Sequence, residues 1–102
     1  MSPHSRRAVL AGKSCYLRFT LAALAQISEH FEARGPQALA SFFSTKGQTL
    51  PEPKLRLLMF CLLQAEHKRG AQAISDAASK AELSAAMPIV ADLFEKAFQH
   101  DQ

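Results

Sequence analysis

The residues Leu57-Leu58-Met59-Phe60-Cys61-Leu62-Leu63 form an unbroken apolar run near the middle of a chain of 102 residues. A helix at the surface of a small domain shows apolar residues on one face only, with a period of 3.6 residues. This run does not alternate. Either the rest of its own domain encloses it, or something else covers it. A bilayer is a poor cover, because a spanning helix needs about 20 apolar residues. Arg56 on one side and Glu66, His67, Lys68 and Arg69 on the other also close the run off.

The run lies in a helix expected over Lys54 to Lys68, started by Pro51 and Pro53 and broken by Gly70. At about 100° per residue its apolar positions cover about 240° of the wheel. Arg56, Gln64 and His67 mark the wet side, and Phe60 falls among them. Such a helix is either the centre of a fold or part of an interface.

Around it the chain reads as α+β and mostly α. A short N-terminal β-hairpin precedes four to five helices in one small compact domain, residues 7–99, flanked by a disordered start at 1–6 and a tail at 100–102. The strands are expected over Arg7 to Ala11 and Ser14 to Phe19, around a Gly12-Lys13 turn. In the second, Cys15, Leu17 and Phe19 alternate with Ser14, Tyr16 and Arg18, giving one buried and one wet face. Thr20 is a suitable N-cap for a helix over Leu21 to Ala33, with Leu21, Leu24, Ile27 and Phe31 as its apolar stripe and Gly35 as its stop. Pro36 opens a shorter helix, Gln37 to Phe43, and Ser44 to Leu50 reads as a loop. Ser75 is expected to cap a short helix over Asp76 to Lys80. Ser79 and Glu82 have capping-box spacing. The last helix runs to about Gln99, with Ile89, Val90, Leu93, Phe94, Ala97 and Phe98 on one side. Pro88 either begins it or kinks it.

Three near-motifs at the start do not hold. Ser5-Arg6-Arg7 resembles a twin-arginine signal, but Lys13, Ser14 and Arg18 interrupt the apolar stretch that must follow. Gly12-Lys13-Ser14 resembles the end of a phosphate-binding loop. Position 7 is Arg where a glycine is required, and a strand-like run follows instead of a helix. Leu10-Ala11-Gly12 lacks a cysteine at the position that lipidation needs.

No constellation of residues points to chemistry. His4, His30, His67 and His100 have no metal-ligand spacing to one another or to cysteine. Cys15 and Cys61 lie in apolar patterns, which favours buried thiols in a reduced, cytoplasmic protein over a disulfide or a nucleophile. The carboxylates fall mostly on wet helix faces. The expectation is a protein that is not an enzyme and needs no cofactor or metal. The net charge of +3 is modest, and only Arg6, Arg7, Lys13 and Arg18 cluster. A small basic DNA-binding or regulatory helical protein is the alternative reading, with those four on phosphates. What remains is apolar surface in need of cover. Phe42, Phe43, Phe60, Leu63, Phe94 and Phe98 are the candidate partner-binding residues, for another protein or for self-association.

The order of these patterns carries a resemblance. A short strand, Gly12, a strand ending in Leu17-Arg18-Phe19-Thr20-Leu21, and a helix opening Ala23-Leu24-Ala25 make up the passage "LRFTLAALAQISEHF". A short helix near Pro36 to Phe43 follows, then the apolar helix at Leu55 to Leu63 and a closing "IVADLFEKAF". The chain resembles a family of small phage and gene-transfer-agent tail proteins grouped with the tail assembly chaperones. Pro88 and the connection "HKRGAQAISDAASKAEL" depart from the family pattern. The resemblance implies a cytoplasmic protein, made in the host cell, that binds the long helical tape-measure protein during tail assembly. It brings no catalytic residues.

Overall fold

The computed structural model describes residues 5–31 and 36–100, the side chains of Pro36, Gln48 and residues 97–100 apart. The disordered start and the tail expected at the chain ends fall largely outside them. Ser5 and Arg6, however, belong to the first strand. The elements run β1 (Ser5–Leu10), β2 (Lys13–Arg18), α1 (Leu21–His30), α2 (Pro36–Lys46), a 3-10 turn (Gly47–Thr49), α3 (Glu52–Leu63), α4 (Ala71–Ala77) and α5 (Lys80–His100). This is the α+β, mostly helical architecture expected, with an antiparallel hairpin followed by five helices.

The hairpin pairs Leu10 with Lys13, Ala8 with Cys15 and Arg6 with Leu17. Its loop is therefore Ala11-Gly12, one residue earlier than the sequence suggests. Both loop residues have positive φ, 55° and 72°. That is the requirement of a type I′ turn, whose twist matches the flanking strands. A side chain from far along the chain supports the strained Ala11. The carboxylate of Glu82 accepts the backbone N–H of Ala11 and of Gly12, each at 2.9 Å. The same carboxylate accepts from Ser79 N–H while Ser79 Oγ accepts from Glu82 N–H, which completes the expected capping box of α5. One residue thus caps a helix and seats the hairpin tip on it. These N–H donors, Ser79 first and then Gly12, hold the Glu82 carboxyl below its ordinary pKa.

Thr20 caps α1 as expected, accepting from Ala23 N–H at 3.0 Å. The helix ends at His30 rather than Ala33. Phe31 is extended there, and Lys54 donates to the His30 carbonyl at 2.7 Å and lies over the Phe31 ring. Gly35, the expected stop, lies outside the described residues. The segment read as a loop after Phe43 is helical to Lys46 and then forms a 3-10 turn. Gly47 lies so close to α5 that a Cβ there would come within 2.9 Å of Met87 Cε.

The apolar run answers its own question. Leu58, Met59, Cys61, Leu62 and Leu63 are buried within the domain, and Leu57 and Phe60 are partly buried. Helix α3 touches β2, α1, α4 and α5, so it is the central element. It stops at Leu63, not Lys68. Its end closes into a turn in which the His67 carbonyl accepts from both Gly70 and Ala71 N–H. Arg56, expected on the wet side, instead binds the end of α4. Its guanidinium donates to the carbonyls of Ser75, Asp76 and Ala78 at 2.7–2.9 Å and pairs with Glu52. A cation at a helix C-terminus satisfies its orphan carbonyls and complements the helix dipole. Ser75 is not a cap. It is buried inside α4 and donates to the Gln72 carbonyl. Pro88 lies within α5, which is one helix of 21 residues.

A chain of phenylalanine rings joins these elements. Phe94 of α5 meets Phe19 at 5.2 Å and Phe43 of α2 at 5.3 Å, edge to face. Phe43 in turn meets Phe31 at 5.5 Å, and Phe42 packs against both. Edge-to-face pairs contribute about 0.5–1.5 kcal/mol each beyond the area they bury.

Candidate partner-binding surface

The six candidate contact residues separate by position. Phe43, Leu63 and Phe94 are core residues at 2%, 0% and 0% exposure. The physical reason is that α2 lies along α5 and α3 is enclosed from several sides, so the broad apolar faces cover one another. Phe42 and Phe60 are partly buried against the core and keep an outer side. The side chain of Phe98 lies outside the described residues.

Phe60 has a setting of its own. With Leu57, Pro53 and Arg56 of α3 and Gln72, Ser75 and Asp76 of α4 it lines an open groove of about 370 Å³. Arg56 ties the end of α4 to α3, and Leu57 and Phe60 line the groove between the two helices. Its lining mixes apolar side chains with polar ones, among them the Gln72 amide and the Asp76 carboxylate, which are hydrogen-bonded to each other at 3.0 Å. Sequence reasoning found Phe60 because it stands among polar positions on the wheel. It missed Leu57, whose partial exposure depends on where α4 sits.

It also missed the three large apolar residues that are most exposed among the described residues: Leu21 at 81%, Val9 at 58% and Tyr16 at 44%. By spacing Leu21 opens the apolar stripe of α1. At about 100° per residue it lies some 80–120° from Ile27 and Phe31, and Ala23 takes the inward position instead. Val9 and Tyr16 follow from the hairpin's alternation, which places them on the wet face.

The basic cluster does not form one positive face. Arg6 pairs with Asp92 and Arg18 with Glu66, both in exposed positions. Among the described residues no acidic side chain pairs with Arg7 or Lys13. No group of three or more metal-ligating side chains occurs among the described residues, and no described helix is long and apolar enough to cross a membrane. Both cysteines are buried and free. Burial pushes the Cys61 thiol up to about 11 and raises that of Cys15, whose Sγ lies near the Leu10 and Lys13 carbonyls. A thiol poised for nucleophilic attack has the opposite shift.

No curated protein and no solved structure matches the chain. A family model does. The one described as "Phage tail tube protein, GTA-gp10" matches residues 4–100, nearly the whole chain, including the hairpin, the apolar α3 and the α5 that carries Pro88. The chain belongs to this phage and gene-transfer-agent tail protein family.

Proposed function

We propose that the protein is a non-enzymatic tail assembly chaperone. It acts in the host cytoplasm by holding a helical segment of the tape-measure protein, or of another tail protein, while the tail is built. The observation that carries this reading is the α3–α4 groove, where Phe60 and Leu57 are left partly open between two helices. Such a groove suits the apolar anchors of an amphipathic helix, spaced i, i+3, i+4. The Gln72 and Asp76 side chains at its rim supply polar contacts.

The family description favours a second reading, a subunit of the tail tube itself. A tube subunit contacts several neighbours permanently, and obligate interfaces bury about 2,000 Å² or more, much of it apolar. The whole accessible surface here is 5896 Å², and the strongly exposed large apolar residues are the scattered Val9, Tyr16 and Leu21 among the described residues. That distribution suits transient binding better than a permanent polymer.

The experiment is a tagged pull-down from cells expressing the surrounding tail genes, at low and high salt, beside analysis of purified particles. A chaperone recovers a long helical tail protein that survives high salt, loses it on Phe60→Asp while the variant stays folded, and is absent from finished particles. Stoichiometric presence in the particle establishes the tube-subunit reading. Recovery of nucleic acid alone, lost at high salt, refutes both.

A further inference from the structure

The hairpin has two edges, and they are treated differently. In a two-residue loop the flanking residues form a hydrogen-bonded pair, and such pairs then alternate along the ladder. Here Leu10–Lys13, Ala8–Cys15 and Arg6–Leu17 are those pairs. The backbone N–H and C=O groups of Tyr16 on β2, and of Arg7 and Val9 on β1, therefore point outward. On β2 this edge is engaged by the α3–α4 connection. Tyr16 N–H donates to His67 Nε2 at 3.2 Å, and Arg18 reaches Glu66 in the same α3–α4 connection at 3.0 Å. On β1, Arg7 and Val9 make no further backbone hydrogen bond among the described residues. An uncovered edge is a template for one more strand.

Beside this edge lies an open groove of about 390 Å³, lined by Ala8 and Val9 of β1 and by Ala81, Glu82, Ala85, Ala86 and Ile89 of α5. The alanines matter. Small side chains on α5 leave room next to β1 that larger ones would fill. A strand added here would direct alternate side chains toward α5 and the others to the outer face beside Arg7 and Val9.

We propose that the outer edge of β1, with the groove between it and α5, docks an acidic, extended segment of a partner protein as a third strand. The charge decides the occupant. Arg6 is already paired with Asp92, whereas Arg7, on the outer face of β1, has no acidic partner among the described residues. The one acid that lines the groove, Glu82, is turned to the Ala11, Gly12 and Ser79 N–H groups at the hairpin tip. A second copy pairing through the same edge would add a second unpaired Arg7 to the outer face of one short sheet, and like charges across strands destabilise. A segment alternating small apolar residues, facing the groove, with Asp or Glu, facing Arg7, satisfies the edge, the groove and the charge together. This surface shares no residue with the α3–α4 groove and stands independently of the function proposed for it.

The test uses the full chain and two synthetic eight-residue peptides, one alternating Val and Glu, the other Val and Lys. Binding is read with a dye-labelled peptide, and the location by amide hydrogen exchange. The expected result is that the Val/Glu peptide slows exchange at Arg7 and Val9 at least tenfold and binds at least tenfold more tightly than the Val/Lys peptide. Arg7→Glu reverses that preference. Val9→Pro abolishes binding without disturbing the hairpin, because the N–H it removes points away from β2. Ala85→Gln, which fills the groove from an exposed helix position, weakens binding in the same way and serves if the proline variant does not fold. Equal binding of both peptides, protection confined to the α3–α4 groove, or no binding at millimolar peptide overturns the proposal. So does slowing of the Arg7 and Val9 amides with protein concentration alone, which identifies a second copy as the occupant.

Discussion

Replacing Phe94 with alanine tests whether this ring belongs to the core or to a contact surface. The side chain is fully buried at 0% exposure and forms the junction between Phe19 and Phe43. Truncating a buried phenylalanine costs about 3–5 kcal/mol. Two edge-to-face contacts of about 0.5–1.5 kcal/mol each are lost with it, which places the expected cost in the upper half of that range. A domain of this size has about 5–15 kcal/mol of stability in total. With a urea slope of about 1–3 kcal/mol per molar, the midpoint should fall by more than about 1 M. The assay is urea unfolding followed by circular dichroism at 222 nm, which suits a mainly helical chain with no tryptophan. Phe94→Leu keeps most of the volume and should cost much less, leaving a folded protein whose partner capture equals that of the parent. A midpoint shift under about 0.3 M for the alanine variant would refute the burial argument. So would loss of capture by a fully folded leucine variant, since that is the behaviour of a surface contact.

The Glu82 carboxyl titrates below its ordinary value because Ser79, Gly12 and Ala11 N–H groups bind its charged form. A group whose folded pKa is depressed contributes stability above its unfolded value, here 4.5, and loses that contribution as pH falls through the folded value. Urea midpoints of the parent and Glu82→Gln should therefore differ at pH 6–7 and converge under acid; a difference independent of pH would contradict the proposed contacts. Both thiols should resist labelling by an aromatic disulfide reagent at pH 8 in the native state and react fully in denaturant. Cys61, pushed up to about 11 by burial, should be the slower. Rapid native labelling of either would reopen a nucleophilic role.

Much of the architecture was legible because it rests on local chemistry. Thr20 and the Ser79–Glu82 pair cap helices through atoms three residues apart, so their spacing alone reports them. The alternation of Cys15 and Leu17 with Ser14 and Tyr16 likewise separates inner from outer face whatever lies above it. Turn registry was less legible. Gly12 attracted the loop, but Ala11 shares it at positive φ, helped by a carboxylate some 70 residues away. Helix ends erred where distant groups intervene. Arg56 binds the end of α4, and Lys54 sits at the end of α1.

By itself, the amino-acid order determined that this chain is mostly helical with a leading hairpin, that it needs a central apolar helix, and where its main caps lie. Each follows from periodicity or from hydrogen bonds that close within one turn. Only the tertiary structure decided which apolar faces are spent on one another. Phe43, Leu63 and Phe94 look the same in sequence as Phe42 and Phe60. Their burial differs because α2 lies along α5 while α4 leaves a groove over α3. It also decided that His67 binds the edge of β2 at Tyr16, while Arg7 and Val9 on β1 make no backbone hydrogen bond across their outer edge among the described residues. Exposure is a property of neighbours brought together across the chain, and a residue's own periodicity does not contain it.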